Sequence, residues 1–154
     1  MTTIDDKIIE ALSPNEILGL TIVGEARGEA IEGQVAVGCV IRNRISRHPE
    51  KYKSYTDVCF ESKQFSCWNE NNPNRKFLLE LADKLVNEGL VTDIGIKQCM
   101  FVAKGISEWM IMDNTKGALH YMTTKLYYGN KPDWAINAYN TTIFNHQIFF
   151  NINE

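Results

Sequence analysis

The chain shows no strong imbalance of charge: 16 Lys and Arg stand against 19 Asp and Glu, a net charge of −3 over 154 residues. A nucleic-acid binder advertises a basic excess or stripe, so that class is set aside. Only 4 prolines and 10 glycines occur, which excludes collagen-like and low-complexity chains. No apolar run reaches the roughly 18 residues of a membrane span. Met1 to Glu10 carries Asp5, Asp6 and Glu10 where a secretory signal would be apolar. The four cysteines (Cys39, Cys59, Cys67, Cys99) contain no C-x-x-C pair, and histidine is sparse, so no metal and no cofactor is expected. Synthesis in the cytosol with free thiols follows as an expectation. Cys59 and Cys67 could pair only after release into an oxidising space.

What is present fits one domain, with residues 1–12 as an extension and 13–150 as the core. A chain of this length can bury about 69% of its unfolded surface, enough for one core and a cleft. Ser13-Pro14-Asn15-Glu16 predicts a helix start: Ser13 caps, Pro14 suits the first position and Glu16 completes a capping box. The helix to about Ala26 is apolar nearly all round, which predicts a buried central element ended near Gly28 in the left-handed region. A second helix is expected over Glu32 to Ser46, a third from Asn72-Pro73 to Gly89, and a fourth from Ile96 to Lys104, ended by Gly105. Arg42, Arg44, Arg47 and His48 read as a cationic last turn that complements the helix dipole. Gly117 to Met122 and Thr141 to Phe150 mix β-branched and aromatic residues and predict short strands. The expected class is α+β, predominantly α with a small β element.

Glu25 is the residue that needs explaining. Leu18, Ile22 and Glu25 share one helical face, so a carboxylate ends an apolar stripe. Burial would raise its pKa, as a general acid at neutral pH requires. A frayed helix end, with Glu25 paired to Arg27, is the alternative. Glu29 and Glu32 follow, but Gly28 leaves their geometry to Glu25 open. Paired carboxylates serve glycosidases as acid and nucleophile or acid and base.

Three blocks carry a resemblance: Gly24-Glu25-Ala26-Arg27-Gly28-Glu29, Glu32-Gly33-Gln34-Val35-Ala36-Val37-Gly38 and Val40-Ile41-Arg42-Asn43-Arg44. With Gln64-Phe65-Ser66-Cys67-Trp68, Ala118-Leu119-His120-Tyr121 and Ile143-Phe144-Asn145-His146-Gln147-Ile148-Phe149 following in order, the chain resembles the SleB/CwlJ-type cell-wall hydrolases, the spore-cortex-lytic enzymes and their relatives. The resemblance implies a lysozyme-like fold and cleavage of peptidoglycan between N-acetylmuramic acid and N-acetylglucosamine, as a lytic transglycosylase or muramidase. It implies Glu25 as the single catalytic acid and base. Val23 stands where relatives often carry Tyr. With no signal segment in view, a phage endolysin is the expected setting: a monomer, held in the cytoplasm, reaching the wall on release without inserting in the membrane.

Further site residues are expected around Glu25. Gln64, Phe65 and Ser66 would line the cleft, Trp68 would stack on a sugar, and Tyr121 would orient the N-acetyl carbonyl or stabilise the cation. Glu29 and His120 complete the substrate-binding candidates. Phe65 and Trp68 read equally as core, and His120 reads rather as structural, as do Asn43, Arg44, His146 and Phe149. Two rivals stand beside this reading. Cys67 with His120 or His146 would make a thiol peptidase or amidase of wall peptides. Trp68, Trp109 and Trp134 would make a non-catalytic glycan-binding module.

Overall fold

The computed structural model describes residues 3–89 and 91–153. Its first helix, α1 (Ile4–Glu10), lies in the expected N-terminal extension, where the sequence reading placed no element. A capping signal was there to be read: Thr3 and Asp6 each accept from the other's backbone N–H at 3.0 Å. The same reciprocal cap opens α2 (Pro14–Ala26), where Ser13 and Glu16 bond at 3.1 and 2.9 Å. All residues from Ile17 to Val23 are buried. Helices pack around α2 on several sides, which is why its sequence has no polar face. Each of its large apolar side chains contributes about 1.5–3 kcal/mol by leaving water. Arg27 caps α2 in ordinary helical geometry, and Gly28 is not among the glycines with positive φ. The left-handed stop expected at Gly28 is therefore absent.

Helix α3 (Ile31–Arg47) follows, then α4 (Tyr55–Cys59), a single 3-10 turn at Ser66–Trp68, and α5 (Pro73–Glu88). Asn72 caps α5, and Gly89 closes it at φ 73°, as the sequence predicts. Helix α6 (Ile94–Ser107) runs through Gly105 instead of ending there. A Cβ at Gly105 would lie 2.5 Å from the Ile111 side chain. This glycine admits the returning chain against the helix and does not break it. Helices α3, α4, α5 and α6 and the 3-10 turn all contact α2, while α1 rests on α5.

The last third holds β1 (His120–Thr123), α7 (Thr124–Gly129), β2 (Tyr139–Phe144) and β3 (Gln147–Asn151). The strands pair antiparallel in the order β1-β3-β2. His120 pairs with Phe150 and Tyr121 with Phe149. Side chains alternate across a strand, so the sheet has two separate faces. Tyr121, Phe144 and Phe149 pack toward the helical core, whereas Met122, Ile148 and Phe150 join Tyr127 and Ala135 in a smaller cluster on the other side. The α+β, mainly helical class is the one expected. Among the described residues, no helix is long and apolar enough to cross a membrane.

Candidate active site

Glu25 stands on the last turn of α2, half-buried. The Tyr121 hydroxyl, from β1, donates to Glu25 Oε1 at 2.6 Å. The thiol and the backbone N–H of Cys67 also hydrogen-bond the carboxylate. That N–H belongs to the start of the 3-10 turn, where the helix itself supplies no acceptor. Gly24 makes the approach possible: a Cβ there would sit 2.7 Å from Cys67 and 2.9 Å from Leu78. The frayed-end alternative, with Glu25 paired to Arg27, is not what forms; the Arg27 guanidinium lies 4.1 Å over the Phe77 ring.

Burial raises the Glu25 pKa above its ordinary value, and the bonds from Tyr121 and Cys67 only partly offset this. Tyr121 is pushed well above the usual phenol range, first by burial and then by the charge of Glu25. A carboxyl in this setting keeps its proton to higher pH than a solvated one. It can hold that proton on one oxygen while Tyr121 donates to the other.

The other expected site residues divide. Glu29 is drawn away to the β2–β3 turn: its Oε2 accepts from Asn145 Nδ2 at 3.1 Å and contacts His146 Nδ1 at 3.2 Å. Phe65 is 2% exposed and Trp68 6%, so neither ring offers a face to a sugar. The Trp68 indole N–H instead donates to Thr21 Oγ1 at 2.9 Å, inside the core. For both rings the core alternative replaces the cleft-lining one. For His120 the structural alternative replaces the substrate-binding one. This residue neighbours Tyr121 on β1 and therefore points to the opposite face of the sheet, against Trp134 and Phe150. Gln64 and Ser66 remain exposed on the loop that carries Cys67.

The arginines of α3 do more than complement a dipole. Arg42 is 3% exposed and donates to the Ile106 and Ile111 carbonyls at 3.1 and 2.9 Å. Arg44 donates to the Leu119 carbonyl at 2.8 Å and to Gln64 Oε1 at 2.9 Å. Asn43 bonds Asp113 at 3.2 Å and the Ala118 carbonyl at 3.1 Å. Helix α3 thus holds the segment leading into β1, and with it Tyr121, in place. The roles of Asn145 and Thr21 had no signal in the sequence, since each depends on a partner far along the chain.

The thiols do not look like nucleophiles. All four are buried and free. Burial pushes Cys39 and Cys99 up to about 11 and Cys59 up to about 12, and it raises Cys67 as well, with the Glu25 charge adding to it. Thiolate, the reactive form, is scarce at such values. Among the described residues, no group of three His, Cys, Asp or Glu could hold a metal ion.

Known proteins bear on this geometry. A family model described as cell wall hydrolase matches residues 28–150. The match begins beyond Glu25, so the part assigned to that residue rests on its surroundings. Among solved structures, the catalytic domain of the germination-specific lytic transglycosylase SleB from Bacillus anthracis superposes with a TM-score of 0.58. It is 22% identical, over 90% of this chain and 93% of that one, a likeness of fold. The catalytic domain of SleB from Bacillus cereus gives a TM-score of 0.57 at 26% identity, over 90% and 91%. No curated protein sequence matches.

Proposed function

The chain belongs to the cell wall hydrolase family, and from that premise we propose that it cleaves the glycan strands of peptidoglycan between N-acetylmuramic acid and N-acetylglucosamine, with Glu25 as the sole acid and base. The observation that carries the reading is the Glu25 carboxylate itself: half-buried at the end of an apolar helix, raised in pKa, and held by Tyr121 at 2.6 Å. The likeness to the Bacillus anthracis SleB domain, a lytic transglycosylase, supports the choice of reaction.

Protonated Glu25 gives its proton to the glycosidic oxygen as the bond from that oxygen to the muramic C1 breaks. Proton transfer of this kind is worth about 10²–10⁴ in rate. Positive charge develops at C1, and the substrate's own N-acetyl oxygen can stabilise it, as in substrate-assisted glycosidases. Glu29 is engaged by Asn145 and His146, so no second free carboxylate is invoked. The muramic 6-hydroxyl then attacks C1 and returns its proton to Glu25, which leaves a 1,6-anhydro end. Water in place of that hydroxyl leaves an ordinary reducing end. Tyr121 fixes the carboxyl for both transfers.

Glu25→Gln is the test, because an amide still accepts from Tyr121 but has no acid proton to give. Solubilisation of purified sacculi should fall by about 10²–10⁴ while the fold persists. Digestion at undiminished speed would end the reading. Mass spectrometry of the wild-type products decides the route: muropeptides one water lighter at muramic acid mark the anhydro path. The proposal extends to bacterial lysis in the manner of a phage endolysin. Co-production with a pore-forming protein should then clear a culture, and stable turbidity would remove that role.

A further inference from the structure

Beside the Glu25–Tyr121 pair lies a depression of about 210 Å³, walled by Arg44, His48, Lys51, Tyr52, Glu61 and Gln64. It joins the site through two links. Arg44 lies close enough for its charge to act on the Tyr121 phenol, and Gln64 stands on the loop that brings Cys67 to Glu25.

The charges in this depression are arranged unequally. The one carboxylate, Glu61, is already engaged: Oε1 takes Lys51 Nζ at 2.6 Å, and Oε2 takes the Tyr52 hydroxyl. Arg44 is half-buried, and burial pulls its pKa below the ordinary value, yet a guanidinium stays charged in proteins. Its Nε and Nη1 bond a carbonyl and an amide oxygen, both neutral. Nη2 makes neither bond. Among the described residues, no carboxylate lies within ion-pair distance of Arg44. Arg44 and Lys51 against Glu61 leave one net positive charge on these walls. Arg44 feels the Glu61 charge through space but makes no ion pair with it, and a planar guanidinium with one amino group outside these bonds, in a walled depression, suits a carboxylate.

Resting on the glycan-cleaving reading above, we propose that this depression is a subsite for a free carboxylate of the peptide stems that peptidoglycan strands carry. Arg44 bonds the carboxylate and Lys51 supplies a second charge at the rim. The contact would set which stretches of wall are accepted, not the chemistry at C1.

The test works mainly on the substrate, since Arg44 also holds Leu119 and its loss could disturb the fold. Carbodiimide coupling of ammonia turns the carboxylates of purified sacculi into neutral amides. Solubilisation by the wild-type protein is then followed against concentration of native and of amidated sacculi. Non-specific electrostatics favours the amidated wall, because the protein itself carries −3. The subsite predicts the opposite sign. The half-saturating concentration should rise about tenfold on amidation, the weight of one charge-assisted hydrogen bond, with a smaller change in limiting rate. Lys51→Glu, at a side chain 57% exposed, should raise that concentration on native sacculi and narrow the gap between the two substrates. Strands stripped of their stems by an amidase expose the lactyl carboxylate instead, and they should bind more weakly than native sacculi. Equal or tighter use of amidated sacculi would overturn the subsite, and stripped strands bound as well as native ones would overturn the stem as its source. If neither native nor amidated sacculi dissolve, the glycan-cleaving reading fails and takes the subsite with it.

Discussion

Glu25 and Glu29 stand four residues apart in one short block and are both largely removed from water, yet they meet different partners. Glu25 meets a phenol and a thiol, groups that carry no positive charge and compensate burial only in part. Glu29 meets an amide and an imidazole on the turn between β2 and β3. The first carboxylate is therefore poised to hold a proton, and the second to fasten a hairpin. Their shared sequence block does not decide this. The deciding contacts come from Tyr121, 96 residues on, and from Asn145 and His146, 116 and 117 residues on.

The sharpest way to break the comparison is to neutralise each carboxylate in turn. Glu25→Gln should cost about 10²–10⁴ in sacculus solubilisation, whereas Glu29→Gln should leave the rate within a few-fold. Equal losses would mean that both carboxylates act on substrate. Stability should move the other way. A carboxyl raised in the fold binds more protons folded than unfolded between its ordinary value of 4.5 and its raised value. Stability is therefore lost as pH rises through that window. Glu25→Gln removes this burden, so the variant should melt above the wild type near pH 7, and the gap should close below about pH 4.5. Melting curves at both pH values check the sign.

Tyr121→Phe should have the next largest effect, about tenfold in rate, the weight of one hydrogen bond to a charged group. Its pH profile separates positioning from simple damage. The bond from Tyr121 lowers the Glu25 pKa against the pull of burial, so losing it should move the alkaline limb of the activity profile to higher pH. A profile that keeps its limbs and loses only amplitude would show that Tyr121 does not tune the carboxyl.

Trp68 sharpens the contrast between core and cleft. Thr21→Val would leave its buried indole N–H without an acceptor and should cost about 1–3 kcal/mol of stability. Trp68→Phe removes the donor and leaves the Thr21 hydroxyl still bonded to the Ile17 carbonyl at 2.7 Å, so apart from the packing difference it should cost less than Thr21→Val. Neither should change the concentration dependence of solubilisation in the folded protein. A rise in half-saturating concentration for Trp68→Phe would return this ring to the cleft.

The sequence was legible where signals are local. The Ser13–Glu16 box and the Asn72 cap with Gly89 bound α2 and α5, because caps act within a few residues. The apolar circumference of α2 foretold burial on all sides. Sidedness in the last third was not legible. Whether His120 or Tyr121 faces Glu25 depends on the register of β1 against β3, and a one-residue slip exchanges the two faces. Phe65 and Trp68 were ambiguous for a related reason, since an aromatic ring suits a core and a sugar platform equally. Gly28 and Gly105 looked like breaks because glycine marks both left-handed turns and close approaches; the neighbouring Ile111 side chain, which only the fold supplies, explains Gly105. Helices α4 and α7 are too short to show a period.

The smallest expected effects lie on the Glu29 side. Asn145 holds the β2–β3 turn with φ at 54° and donates to Glu29. Asn145→Ala loses the bond and asparagine's tolerance of the left-handed region, where an ordinary side chain pays about 1–2 kcal/mol relative to glycine. Asn145→Gly loses the same bond but not the backbone fit, so it should be the milder of the two by about that amount in chemical denaturation. Glu29→Gln keeps an acceptor for Asn145 and loses mainly the charge. The His146 side chain is 76% exposed, where ion pairs contribute little, so the loss should stay below about 1 kcal/mol. If Asn145→Gly instead destabilised as much as Asn145→Ala, the side-chain bond to Glu29 and not the backbone would hold the turn. The hairpin would then depend on Glu29 far more than the exposure of His146 suggests.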